Sequence, residues 1–273
     1  MNIVIFSKNR ACQLELLLRS MMDKFYNKME DPRVVVIYTH DDGFSDGYNK
    51  VIDAHRDHVH FVNEKTSAQP FNRMVYLFGL NDSHKYSMFL VDDDVFINSV
   101  SVDEKKLDAI FNNSDVVCHS LRMNPSINYC YTGNTPSPRP ESFDEKSNTW
   151  QWKGGIGDWG YPCSVDGHIF RTEEIKPYIN SLRFKNPNNM EGQMHLNWNL
   201  PGSMMSCESE SVIVNVPANM VQTQGHNRHG SISVGYLENV FTSSEKISME
   251  SFKGLKITAP HMEVDYIMEP QDA

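Results

Sequence analysis

The chain has 273 residues, 40% of them hydrophobic, enough to bury a large core within one domain spanning residues 1–273. Its 35 acidic residues outnumber its 25 lysines and arginines and leave a net charge of −10. So negative a surface excludes nonspecific nucleic-acid binding, and an anionic substrate would need a local cation. The five cysteines (Cys12, Cys118, Cys130, Cys163, Cys207) are odd in number and lack CxxC spacing. Neither a disulfide framework nor a cysteine zinc site is expected, and reduced thiols fit a cytoplasmic setting. Met1 leads straight into NIVIF, a strand-like run with no charged leader, and no apolar run reaches the length of a transmembrane segment.

From residue 2 to 98, short β-rich runs alternate with helical ones: NIVIF, ACQLELLLRSMMDKF, VVVIYT, GYNKVIDAH, HVHFVN, PFNRMVYLFGL and YSMFLV. This rhythm predicts an α/β protein whose mostly parallel sheet is flanked by helices. In the first helix Leu14, Leu17, Leu18 and Met21 fall at i, i+3, i+4 and i+7, which is one buried stripe. A helix over 103–111 and a strand over 115–119 come next. Residues 122–162 are rich in Pro, Ser, Asn and Gly and read as a long functional loop. Beyond it the pattern gives a strand at 168–170, helices at 172–175 and 188–199, and a strand at 211–216.

The run Met88-Phe89-Leu90-Val91-Asp92-Asp93-Asp94-Val95-Phe96-Ile97 sets three adjacent carboxylates at the end of an apolar strand. Ligands of open α/β sheets bind at the carboxyl ends of strands. Like charges this close repel, and a divalent cation is the direct way to hold them; hard oxygen donors select Mg²⁺, Mn²⁺ or Ca²⁺.

With this run in view, the chain resembles the nucleotide-sugar-dependent glycosyltransferases of the GT-A fold, nearest to inverting family 2. The resemblance is carried by the DDD run, by Thr39-His40-Asp41-Asp42-Gly43-Phe44-Ser45-Asp46 at the end of the second strand, and by Phe6-Ser7-Lys8-Asn9-Arg10 after the first. It covers roughly the first hundred residues. It implies a Rossmann-like sheet with a nucleotide-binding half (1–98), a donor-sugar and acceptor half (99–240) with a long acceptor-side loop region, and a C-terminal extension (241–273). It also implies a hexosyltransferase that takes a UDP- or GDP-sugar donor and a carbohydrate or other hydroxyl acceptor, with Mn²⁺ or Mg²⁺. Ser7 and Arg10 would line the nucleotide pocket, and Asp41 or Asp42 would meet the base or ribose. Asp92 would face ribose or metal, Asp93 the donor, and Asp94 the metal. A late histidine often completes the metal site in this family, which points to His226 or His229 in Gln224-Gly225-His226-Asn227-Arg228-His229.

In the second half, Asp158 and Asp166 each sit beside glycines, where a backbone can approach a ligand closely; donor-sugar hydroxyls and local turn amides are both plausible partners. The family's catalytic base lies at the start of a late helix, and the match here is Glu191 in Asn188-Asn189-Met190-Glu191-Gly192, with Asp166 as its rival. Trp150, Trp152, Trp159 and Tyr161 crowd one region and read either as a sugar platform or as a cluster that pins the loop. Two other readings stand beside the transferase. One is a sugar-phosphate nucleotidyltransferase, although FSKNRACQ contains no glycine; the other is a noncatalytic carbohydrate- or nucleotide-binding domain.

Overall fold

The computed structural model describes residues 1–99, 102–221 and 228–271. Its first half follows the alternation of the sequence. β1 (Asn2–Lys8), α1 (Ala11–Lys24), β2 (Arg33–Thr39), α2 (Ser45–His55), β3 (Val59–Asn63), the short α3 (Phe71–Met74) and β4 (Tyr86–Val91) succeed one another. α3 runs on as a π-helical turn, Val75–Gly79. β1 to β4 form a parallel sheet in the order β3-β2-β1-β4. In β1 the residues from Asn2 to Ser7 are all buried, as expected of a central strand covered on both faces. The stripe Leu14, Leu17, Leu18 and Met21 is completely buried.

The second half extends the same sheet. β5 (Asp94–Phe96), α4 (Glu104–Phe111) and β6 (Val116–Ser120) are followed by the short strands β7 (Tyr129–Cys130), β8 (Thr135–Pro136) and β9 (Thr149–Gln151). Next come β10 (His168–Arg171), α5 (Thr172–Ser181), α6 (Pro187–Leu196), β11 (Met204–Cys207), β12 (Ile213–Asn215), α7 (Val234–Thr242), β13 (Glu245–Ile247) and β14 (Met268–Pro270). The eight-stranded sheet reads β3-β2-β1-β4-β10-β6-β11-β9. β10 is inserted antiparallel between β4 and β6, while β11 lies parallel to β6. The architecture is thus α/β with a mostly parallel sheet between helices, as the alternation predicts. β11 escapes the sequence pattern because MMSC is short and unalternating. Among the described residues no helix is long and apolar enough to cross a membrane.

The 122–162 stretch holds little regular structure and is anchored by aromatic packing. The rings of Trp150 and Trp159 meet edge to face at 4.9 Å, Phe143 packs on both, and the two indoles are fully buried. Each indole N–H finds a carbonyl: Trp150 Nε1 donates to Trp159 O at 2.8 Å and Trp159 Nε1 to Ser137 O at 3.2 Å. For these two tryptophans the loop-pinning role is the one observed. Gly155 and Gly160 allow the backbone to double back here, since a Cβ on Gly155 would lie 2.6 Å from the carbonyl carbon of Trp159.

Candidate active site

Strand order reverses between β1 and β4, with β2 on one side of β1 and β4 on the other. A crevice is expected at the carboxyl ends of these strands. A cavity of about 680 Å³ lies there. Ser7 and Lys8 from β1, Thr39 from β2 and Asp92 and Asp93 from the end of β4 line it, together with Asp158, Asp166 and Glu191.

The turn after β1 is set by Asn9, whose φ of +56° is left-handed, a conformation asparagine tolerates. Its side chain bonds Asp41 twice, accepting from the Asp41 N–H at 2.7 Å and donating to Asp41 Oδ2 at 2.7 Å. Arg10 then turns inward. Its Nη1 donates to Asp92 at 3.0 Å and Asp93 at 2.8 Å, and its Nε and Nη2 donate to the side chain and backbone of Asn219 at 2.7 and 2.5 Å. Asp92 also accepts from the Ser7 hydroxyl at 2.9 Å and the Lys8 N–H at 3.0 Å. Even so, burial raises the Asp92 carboxyl to about 6, against the pull of Arg10. Asp94 lies deeper. It is fully buried, and its oxygens accept from Val91 N–H and Asn215 Nδ2 at 3.0 and 3.1 Å.

A second wall of carboxylates is organised by Arg122, which is 2% exposed and bridges Asp158 at 2.9 Å and Asp166 at 3.3 Å. His261, from the C-terminal segment, reaches Asp166 at 3.3 Å. Burial pushes the Asp166 carboxyl up, but the His261 hydrogen bond and the Arg122 charge outweigh it and hold Asp166 below the usual carboxylate range. Glu191, in the second turn of α6, goes the other way. Burial and the Asp166 charge push it up to about 7 while Arg122 opposes them, and Glu191 Oε1 accepts from Val165 N–H at 3.2 Å. The wall therefore carries a carboxylate held ionised beside one that exchanges its proton near neutrality.

Of the residues singled out in the sequence, Ser7, Arg10, Asp92, Asp93, Asp158, Asp166, Glu191 and His229 share this cavity. Asp41 and Asp42 are exposed and stand outside its described lining, with Asp41 engaged by Asn9. His226 lies outside the described residues. Tyr161 lines the cavity, whereas Trp152 borders a separate recess with Trp198. Arg122, Asn215, Asn219 and His261 belong to the site without any sequence signal. Arg122, Asn219 and His261 are lone polar residues in unpatterned stretches and Asn215 ends an ordinary strand, each brought in by the return of a distant segment.

A divalent cation is compatible with Asp92 and Asp93. Both border the cavity, Arg10 offsets only one of their charges, and buried hard oxygen donors with residual negative charge suit Mg²⁺ or Mn²⁺. Asp94 does not border the cavity's described lining. Among the described residues no group of three His, Cys, Asp or Glu is arranged to hold a metal ion alone.

No protein-family model matches the chain, and no curated protein matches its sequence. Among solved structures it is similar to residues 1–349 of S. aureus TarS, at 16% identity over 77% of this chain and 58% of that one, with a TM-score of 0.47. The same TarS fragment in complex with UDP gives 17% identity over 78% and 59%, again with a TM-score of 0.47. A mannosyltransferase from Pyrobaculum calidifontis, PcManGT in complex with GDP-Man and Mn²⁺, gives 12% identity over 76% and 56%, with a TM-score of 0.37. The chain spans between 36% and 59% of the length of the TarS chains it resembles.

Proposed function

We propose that this chain is a glycosyltransferase of GT-A type that moves a sugar from a nucleoside diphosphate to a hydroxyl acceptor, with inversion at the anomeric carbon. The observation that carries the reading is the division of one cavity into two chemistries. Arg10 and the Asp92-Asp93 pair stand at the strand ends, and Glu191, with its carboxyl raised to about 7, lines the same cavity from α6.

Glu191 takes the proton of the acceptor hydroxyl, for which a pKa near the working pH is well matched. The acceptor oxygen bonds to the anomeric carbon as the bond from that carbon to the diphosphate breaks, and the nucleoside diphosphate leaves with the electron pair. Asp166 is the poorer base, because His261 and Arg122 hold it ionised and so lower its proton affinity. Asp158 and Asp166, steadied by Arg122, face the space for the donor sugar and accept from its hydroxyls. Asp92 and Asp93 would hold a divalent cation, which would supply Lewis-acid neutralisation of the diphosphate. Ser7 and Arg10 serve the nucleotide side. Residues 1–98 supply the donor half and 99–240 the sugar and acceptor half, while the 241–273 extension contributes His261.

A thermal-shift screen of UDP-, GDP-, CMP- and dTDP-sugars, with and without Mn²⁺, tests the reading. At least one donor should raise the melting temperature in a metal-dependent way. A flat response to all four would leave it without a donor and overturn it.

A further inference from the structure

Glu64 stands at the end of the cavity remote from Glu191, and the reaction described above makes no use of it. It follows β3, Thr39 ends β2, Lys8 ends β1 and Asp92 follows β4, so these lining residues follow the strand order β3-β2-β1-β4. Three strand spacings separate the end of β3 from the end of β4, roughly 14 Å. A nucleoside whose diphosphate lies at Asp92 and Asp93 and whose base points away from the acceptor wall extends toward Glu64.

Glu64 is anchored through its backbone, whose N–H donates to Tyr38 O at 2.8 Å. Its half-buried carboxylate borders the cavity and makes no hydrogen bond or ion pair among the described residues. Burial raises its pKa, partly offset by the charge of Lys8. A carboxylate kept partly from water without a partner is costly unless a ligand supplies donors.

The geometry points to Glu64 as the residue that reads the donor's nucleobase, and to guanine as that base. This rests on the donor reading above and deepens it. A carboxylate offers two acceptors side by side. Guanine alone among the common bases presents two adjacent donors on its Watson–Crick edge, N1–H and the N2 amino group, so both oxygens are met at once. Uracil has a single donor, N3–H, between two carbonyls, and the second carboxylate oxygen would face one of them. Cytosine and adenine each set one amino donor beside a ring acceptor. A site built for a bidentate charged pair rejects bases that leave one of its oxygens unmet.

Calorimetric titration of the full chain with GDP, inosine diphosphate and UDP, in Mn²⁺, tests the assignment. GDP should bind about tenfold or more tighter than UDP, a ratio typical of one bidentate base contact. Inosine diphosphate, which lacks the N2 amino group, should fall between them. Glu64→Gln places an amide donor against the guanine amino group and beside a uracil carbonyl, so it should erase most of the GDP advantage by weakening GDP and tightening UDP. Because the carboxylate holds no partner in the fold, this variant and Glu64→Ala should melt close to the parent. UDP binding as tightly as GDP, or an unchanged GDP-to-UDP ratio in both variants, overturns the guanine assignment and leaves the transferase reading standing. Failure of all three nucleotides to bind overturns the guanine assignment, and the transferase reading falls with it when the dTDP- and CMP-sugars of the thermal-shift screen also give no response.

Discussion

Glu191 and Asp166 share one electrostatic network, yet their proton affinities shift in opposite directions. The difference lies in their partners. Asp166 has His261 and Arg122 in contact, whereas Glu191 has one backbone N–H and the repulsion of Asp166. If Glu191 is the base, it must be ionised to work, so kcat/KM should rise with pH through about 7 and level off above it. Replacing it by Gln should cut kcat about 100-fold or more while nucleotide affinity holds, as steady-state rates and calorimetry would reveal. Stability should move the other way. The folded pKa lies above the ordinary glutamate value of 4.5, so the neutral form is favoured in the fold, and this stabilisation is complete below about 4.5 and lost as pH rises through about 7. Glu191→Gln can keep the Val165 contact without the buried charge, and above pH 7 it should melt at a higher temperature than the parent. Arg122→Met should do the reverse. It strands Asp158 and Asp166 without their cation and should cost about 3–5 kcal/mol in denaturant unfolding.

At the scale of elements, strand ends supply one half of the site and returning segments the other. The FSKNR turn works because Asn9 accepts a left-handed backbone and ties itself to Asp41, which aims Arg10 at the aspartates. Asp41, prominent in the sequence, thus acts on the turn beside the cavity. Asn9→Ala should lose about 1–2 kcal/mol from backbone strain alone, and more with the lost Asp41 bonds; paired melting and nucleotide titrations should show both stability and affinity falling. The helix that follows is held by its leucine stripe. Leu17→Ala should cost about 2–5 kcal/mol and leave nucleotide affinity per folded molecule unchanged, because Leu17 packs in the core away from the cavity. A denaturation curve and a titration on the same preparation separate the two effects.

For the molecule as a whole, the negative charge excess raises the question of how an anionic donor is held. The cavity lining holds Lys8, Arg10, Arg122 and Arg228, but Arg10 and Arg122 are already engaged by Asp92, Asp93, Asp158 and Asp166, so the proposed donor needs the added charge of a divalent cation. Since the cavity draws on strands from both halves of the sheet and on the C-terminal segment, a bound donor should knit together regions far apart in sequence. Amide hydrogen exchange with nucleoside diphosphate and Mn²⁺ should slow at Ser7 to Arg10, at Asp92 to Asp94 and around Val165, with little change at the β13-β14 hairpin. Protection absent from the Asp92 segment would place the nucleotide elsewhere.

The sequence by itself determined the alternation of strands and helices, the buried stripe of α1, and the lodging of Ser7, Arg10 and Asp92 at strand ends. These are local matters, since periodicity and chain direction fix which end of a strand a residue occupies. It also brought forward Glu191 through its place on a late helix. Only the tertiary structure decided the antiparallel insertion of β10, the burial of Asp94 beneath the cavity, the exclusion of Asp41 and Asp42 from its lining, and the arrival of Arg122, Asn219 and His261. Each of these depends on contacts across many tens of residues. Whether a carboxylate stays charged, loses its charge or is left open to a ligand is set by burial and by the cations folded against it, neither of which is written beside it in the chain.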